Sequence, residues 1–103
     1  MLEGFNGTVF AYGQTASGKT HTIMGSSDAT NCGIAPRMIQ ALFGFIEESD
    51  EHMEFAVKTA YLEIYLEKIR DLLNPKKKNL KIREDKMQGV YIEELTEEYV
   101  SEY

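Results

Sequence analysis

The feature that most constrains this chain is the octapeptide from Gly13 to Thr20, which reads GQTASGKT. It fits the phosphate-loop pattern, in which a glycine and four variable residues precede Gly-Lys and then serine or threonine. Such a loop works between a strand and a helix, because the loop N–H groups and the helix N-terminus then point toward phosphate. The octapeptide therefore predicts an α/β fold that binds nucleotide phosphates.

Each position of the octapeptide has a chemical reason. Its glycines permit positive φ angles and let the backbone approach phosphate closely. We expect Lys19 to place its charge on the β- and γ-phosphates and the Thr20 hydroxyl to coordinate Mg²⁺. The alternative is an ordinary glycine turn with a solvated lysine. The expected nucleotide-binding residues are Gly13, Gln14, Thr15, Ala16, Ser17, Gly18, Lys19 and Thr20.

The segments around the loop have the composition that the motif needs. Residues 8–12 are β-branched and aromatic, which predicts a short buried strand, and residues 18–24 are expected to open a helix. The polar residues 25–33 predict an exposed loop. Apolar residues then recur at three- and four-residue spacing, which predicts a helix whose stripe packs against a sheet: Ala35, Met38, Ile39, Leu42, Phe43 and Ile46.

The second half of the chain alternates between apolar runs and turn signals. Residues 55–65 are mostly apolar on both faces, with Lys58 and Glu63 as exceptions, which predicts one longer strand buried inside an α/β sheet. Residues 66–73 carry leucine and isoleucine at helical spacing, which predicts a short helix that stops at Asn74-Pro75. Residues 80–84 and 90–93 alternate about a loop, which predicts a small hairpin.

Composition excludes several classes of protein. The 103 residues allow one small domain, and the net charge of −6 disfavours a general nucleic-acid binder. The single cysteine, Cys32, excludes an intrachain disulfide and a cysteine-cluster metal site. The apolar stretches are far shorter than the ~20 residues that span a bilayer. We therefore expect a soluble intracellular chain with neither a nucleic-acid nor a membrane partner.

The residues needed for hydrolysis are not evident in this sequence. A carboxylate behind the metal and groups that sense the γ-phosphate are required. Glu63 follows an apolar run, but the alternation places it inside the predicted strand, where a paired structural carboxylate is expected. Asp71 and Asp85 have no glycine placed to follow a γ-phosphate, and no D-x-x-G is present. We therefore identify no catalytic residue and expect nucleotide binding without turnover by these residues alone.

The segment TVFAYGQTASGKTHTIM, residues 8–24, resembles the nucleotide-binding loop of the kinesin motor family. The same family is matched in order by GIAPR at 33–37, YLEIY at 61–65 and IRDLL at 69–73. Ala16, with residues 82–85 and 95–98, leans toward the centromere-associated mitotic subfamily. The resemblance implies a P-loop NTPase fold, with a central mixed sheet flanked by helices and a small hairpin lobe.

The resemblance also implies a function. Residues 1–103 correspond to a partial motor domain, with ATP and Mg²⁺ as cofactors, microtubules as the partner, and a cytoplasmic location on the microtubule cytoskeleton. The family's R-x-R-P, N-x-x-S-S-R-S-H and D-L-A-G-S-E elements do not occur in this sequence. We therefore expect the chain to cover about a third of a motor domain, beginning just before the phosphate-loop strand and stopping before both switch loops.

Two further sets of residues gain a role from the resemblance. His21 is implied to border the adenine, the alternative being local packing at the helix start. Six basic residues lie within 76–86, and the resemblance implies that Arg83 and Lys86, together with Lys68, contact the acidic surface of tubulin. The alternative is a solvated loop. Two other functions stay open, a non-catalytic module that binds tubulin or a motor subunit and a small P-loop phosphotransferase.

Overall fold

The computed structural model describes residues 2–28 and 30–102. The chain separates into two compact units, of which the first extends to Phe55 and the second is Ala56–Ser101. None of the described helices is long and apolar enough to cross a bilayer.

Among its described residues, the first unit contains two helices, α1 at Lys19–Ile23 and α2 at Ile34–Glu48. Both confirm the helices predicted from the sequence. The polar segment between them is held closed by a bridge from Gly25 to Cys32, and the N–H of Gly33 donates to the carbonyl of Met24 at 2.8 Å. This segment therefore returns the chain from the end of α1 to the start of α2.

The apolar stripe of α2 is only partly covered. Phe43 is buried, with 8% of its surface exposed, whereas Met38 and Ile39 are exposed. The ring of Phe45 meets that of Phe55 edge to face, with centroids 6.2 Å apart. The expected packing of the whole stripe against a sheet is therefore wrong for the described residues, because no sheet forms in this unit to receive it.

The strand predicted over residues 8–12 does not form among the described residues. The side chains of Phe10 and Tyr12 are 81% and 96% exposed. Their composition suits a buried strand, but a strand needs hydrogen-bonding neighbours. No described segment pairs with residues 8–12, so they form no ladder.

The second unit is built from seven short strands. They form three antiparallel sheets, with the pairings β1–β7, β2–β3–β4 and β5–β6. The strands are β1 Val57–Thr59, β2 Leu62–Tyr65, β3 Lys68–Asp71, β4 Lys78–Leu80, β5 Ile82–Asp85, β6 Gly89–Ile92 and β7 Glu98–Val100. The α/β class is confirmed, and the described strands lie in these separate sheets in place of one central sheet.

Two predictions for this unit are wrong. The single buried strand expected over 55–65 is two mostly exposed strands, β1 and β2, which pair with different partners. The helix expected over 66–73 is a tight turn followed by β3. Leu66 and Glu67 both adopt positive φ, 49° and 63°, which breaks a helix and suits a two-residue hairpin turn.

The hairpin predicted over residues 80–93 is confirmed as β5 and β6. Its register pairs Ile82 with Ile92 and Asp85 with Gly89. At its tip, Asp85 Oδ1 accepts hydrogen bonds from the N–H groups of Met87 and Gln88, at 2.7 and 3.1 Å. This carboxylate closes the turn locally, as aspartate does in many tight turns.

Candidate functional site

The predicted phosphate loop is an exposed turn that leads directly into α1. The N–H of Ser17 donates to the carbonyl of Gln14 at 3.2 Å, and Ala16 has a φ of 62°. Gly18 precedes α1 in the left-handed region, with φ 96° and ψ 15°. This backbone is accessible to glycine at little cost, which explains the second glycine of the motif.

Lys19 folds back over the loop that precedes it. Its Nζ donates to the carbonyl oxygens of Gly13 and Gln14, both at 2.6 Å. The positive charge of Lys19 therefore lies beside the turn, and the residue is only half-buried. An ammonium on a flexible stem holds several donors, and such a group can exchange carbonyl partners for phosphate oxygens.

An open pocket of about 320 Å³ lies beside the loop. The side chains of Thr20 and His21 are exposed at this pocket. Four predicted nucleotide-binding residues, Gly13, Gln14, Thr15 and Ser17, belong to the loop but do not line the pocket. Its lining is Ala16, Gly18, Lys19, Thr20 and His21.

The chemistry of this loop suits a phosphate group with a bound cation. A Cβ added at Gly13 would come within 2.6 Å of Ser17 Oγ, so a larger residue there would require the Ser17 side chain to move. Lys19 supplies positive charge, and the Thr20 hydroxyl is an oxygen ligand of the kind that Mg²⁺ prefers. In the described part of the chain, no group of three His, Cys, Asp or Glu residues could hold a metal by itself.

The three basic residues expected to contact tubulin all lie in the second unit. Lys68 is exposed at the start of β3, and Lys86 is exposed between β5 and β6. Arg83 Nε lies 3.0 Å from Glu93 Oε2 across the hairpin. Because this ion pair partly offsets the charge of Arg83, the more available charges among the three are Lys68 and Lys86.

Two of the three carboxylates set aside as catalytic candidates, Glu63 and Asp85, have structural partners. Glu63 Oε1 forms an ion pair with Arg70 Nη1 at 3.1 Å, across β2 and β3. The expectation of a paired carboxylate at Glu63 is thereby confirmed. Asp85 closes the hairpin tip, as described above.

Asp71, the third of these carboxylates, lies at the end of β3 and not in the helix predicted over residues 66–73, and no role was predicted for it. Its side chain is fully buried at the end of β3. Oδ1 accepts hydrogen bonds from the N–H groups of Leu73 at 2.9 Å and Asn74 at 3.0 Å, and Oδ2 accepts one from the N–H of Thr96 at 2.8 Å. The spacing Asp-x-Leu-Asn, followed by proline, is typical of an aspartate-capped turn and is the signal that identifies it.

The environment of Asp71 stabilises its ionised form. Burial raises the pKa of this carboxyl, but hydrogen bonds from the side chain and backbone of Thr96 and from the backbone of Asn74 and Leu73 outweigh it. Together they lower the pKa of Asp71 from 3.8 to about 2. Asp71 is therefore an anion at neutral pH whose acceptor sites are already used by the fold.

The whole sequence is similar to one known protein family. The family model for the kinesin motor domain matches residues 1–103. The chain is 56% identical over 102 residues to the kinesin heavy chain of Syncephalastrum racemosum, covering 97% of this chain and 11% of that protein. It is 52% identical over 101 residues to the human kinesin-1 heavy chain, covering 97% of this chain and 10% of that protein.

A relative from another organism and a solved structure are also similar to this chain. Kinesin-related protein 3 of Dictyostelium discoideum is 50% identical over 104 residues, with 97% of this chain and 9% of that protein covered. A solved structure described as "Structure of a fast kinesin: Implications for ATPase mechanism and interactions with microtubules" superposes with a TM-score of 0.91 at 48% identity. The superposition covers 96% of this chain and 28% of the chain in that structure.

The chain spans about a tenth of the length of the curated relatives that it matches. These relatives are heavy chains and a kinesin-related protein, and their names do not support the lean toward the centromere-associated subfamily. Because the family model covers all of the sequence and these relatives are half or more identical to it, the chain belongs to the kinesin motor domain family.

Proposed function

We propose that residues 1–103 are the ATP-phosphate-binding part of a microtubule-based motor. The observation that carries the proposal is the position of the Lys19 ammonium, 2.6 Å from each of two loop carbonyls beside a glycine-initiated helix. A cation held beside a turn and a helix start is what phosphate recognition by this loop requires.

The proposed roles follow the chemistry of each residue. Lys19 leaves the carbonyls of Gly13 and Gln14 and donates to the β- and γ-phosphates. The Thr20 hydroxyl and phosphate oxygens hold Mg²⁺, which neutralises phosphate charge when bound. His21, exposed at the same pocket, borders the adenine. The glycines keep the backbone near the phosphates because they add no Cβ.

The activity of the longer protein is part of the proposal. The solved relative is described in terms of an ATPase mechanism and interactions with microtubules. By analogy, the protein that contains these residues is a microtubule-stimulated ATPase of the cytoplasmic cytoskeleton, with the residues for hydrolysis supplied outside 1–103. We propose no catalytic residue within this segment.

The microtubule contact is proposed for the second unit. Lys68 and Lys86 are exposed, and no ion pair is seen for either among the described residues. Arg83 is the third proposed contact, although its charge is partly offset by the ion pair with Glu93. These positive side chains would attract the second unit to the acidic surface of tubulin. Salt weakens this electrostatic attraction.

Calorimetric titration of the protein tests the nucleotide proposal. With Mg²⁺ present, ATP should bind more tightly than AMP, because the loop recognises the β- and γ-phosphates. Equal affinity for ATP and AMP would contradict the proposed site. Binding to microtubules without any ATP binding would instead favour the non-catalytic module, and ATP-dependent phosphorylation of a small molecule would favour the phosphotransferase.

A further inference from the structure

The hairpin β5–β6 is attached to the three-stranded sheet at both of its ends. On its N-terminal side, β4 pairs with β3 and leads through Lys81 into β5. At its base, the N–H of Glu93 donates to the carbonyl of Lys81 at 2.9 Å. On its C-terminal side, the chain bends at Glu94, which has a φ of 63°, and continues to Thr96.

The segment on the C-terminal side of the hairpin is held to the sheet by hydrogen bonds that involve side chains, and no strand ladder is seen there among the described residues. Asp71 Oδ2 accepts the N–H of Thr96 at 2.8 Å. Lys77 Nζ donates to the carbonyl of Glu94 at 2.9 Å and to Thr96 Oγ1 at 3.2 Å. We call Asp71, Lys77 and Thr96 the clasp.

The two anchoring residues of the clasp are themselves held at the three-stranded sheet, since Asp71 ends β3 and Lys77 immediately precedes β4. The N–H of Asp71 donates to the carbonyl of Lys77 at 3.1 Å, and the N–H of Lys77 donates to the carbonyl of Asn74 at 2.9 Å. Asp71 is fully buried, so water cannot replace a hydrogen bond that this carboxylate loses. The clasp thus joins a rigid element to the segment that follows the hairpin.

We propose that Asp71 and Lys77 are positioning residues, which fix the hairpin β5–β6 on its sheet and thereby place Lys86 for contact with tubulin. The placement of the hairpin follows from the hydrogen bonds above, whereas its consequence for tubulin rests on the proposed function. Lys86 lies at the hairpin tip, so a small rotation at the base displaces it by a larger distance. An ion contact made across an interface is sensitive to such a displacement.

Asp71→Asn separates the two roles of this carboxylate, which are capping the local turn and accepting the N–H of Thr96. The amide oxygen can still accept the N–H groups of Leu73 and Asn74, but the amide NH₂ cannot accept the N–H of Thr96. Hydrogen exchange should become about tenfold faster for amides of residues 82–93, because one buried acceptor is lost. Asp50→Asn is the matched control, since the Asp50 carboxylate also accepts a backbone N–H, from His52 at 2.9 Å, but is exposed in the first unit.

Lys77→Met tests the clasp without touching a buried charge. It keeps the aliphatic stem and removes both side-chain hydrogen bonds, whereas Lys76→Met removes the same charge from an exposed side chain for which no hydrogen bond is seen among the described residues. Exchange in the hairpin should be about threefold faster in Lys77→Met and unchanged in Lys76→Met. Wild-type exchange in the hairpin of both Asp71→Asn and Lys77→Met would overturn the proposal.

A double-mutant cycle tests whether the clasp acts through Lys86. Binding to microtubules assembled from purified tubulin should fall about fivefold in Asp71→Asn. The same change made in a Lys86→Ala background should have almost no effect, because the charge to be positioned is gone. An equal fall in both backgrounds would overturn the positioning role. If Lys86→Ala binds as the wild type does, the proposed tubulin contact fails, while hydrogen exchange still decides the clasp.

Discussion

The ammonium of Lys19 lies 2.6 Å from the carbonyl oxygen of Gly13, six residues earlier in the chain. The contact joins the last part of the loop to its first residue and places a positive charge over the turn. Among the described residues, this ammonium is hydrogen-bonded to backbone oxygens alone. An anionic phosphate can displace them because a hydrogen bond between two charged groups is stronger than one to a neutral carbonyl. The contact therefore connects the local fold of the loop with its proposed ligand.

Gly18→Ala should destabilise the protein by about 1–2 kcal/mol, since an L-residue is strained in the left-handed region. Gly18 has a φ of 96°, and a Cβ there would meet nothing within 4 Å, so the effect comes from the backbone. Thermal unfolding measures it. Gly44→Ala is the control, because Gly44 lies inside α2 with the same open space, and alanine should stabilise a helix interior by about 0.5–1 kcal/mol. Shifts of the same sign in the two variants would contradict this explanation.

Glu67→Gly should stabilise the second unit by about 1 kcal/mol, because Glu67 has a φ of 63° in the two-residue turn between β2 and β3. Urea unfolding gives the change. Glu67→Ala removes the same side-chain charge without relieving the backbone, so it should produce no comparable gain. Equal midpoints for the glycine and alanine variants would show that the turn is not strained.

Asp71 should make stability depend on pH in acid. Its pKa in the folded protein is about 2, below the ordinary value of 3.8. A lowered carboxyl pKa contributes stability that is fully present above 3.8 and is lost as the pH falls from about 3.8 toward 2. Unfolding midpoints measured between pH 5 and pH 2 should therefore fall more steeply in the wild type than in Asp71→Asn. Parallel curves would contradict the hydrogen-bonding account of Asp71.

Local patterns predicted the elements that local forces determine. The periodicity of α2 and the alternation about the β5–β6 turn are complete within their own segments, and both elements form. The phosphate loop was predicted from eight consecutive residues, and Gly18 adopts the positive φ that the motif requires. In each of these cases, the residues that decide the structure are neighbours in sequence.

Elements that depend on partners could not be predicted in the same way. Leu66, Ile69 and Leu72 have helical spacing, but the turn at Leu66 and Glu67 and pairing with β2 make the segment a hairpin. Residues 8–12 have strand composition without a described partner. The turn that Asp71 caps has a local signal, but the contact of Asp71 with Thr96, 25 residues away, is revealed by no local pattern.

Titration of Lys19→Ala with ATP in the presence of Mg²⁺ tests whether the loop binds the phosphates of the nucleotide. Loss of a charge-assisted contact should weaken ATP binding about tenfold to a hundredfold and leave AMP binding nearly unchanged. Lys81→Ala removes the same charge from an exposed residue before the hairpin and should bind ATP as the wild type does. If Lys19→Ala also binds ATP with wild-type affinity, the loop is not the phosphate site and the proposed function is wrong.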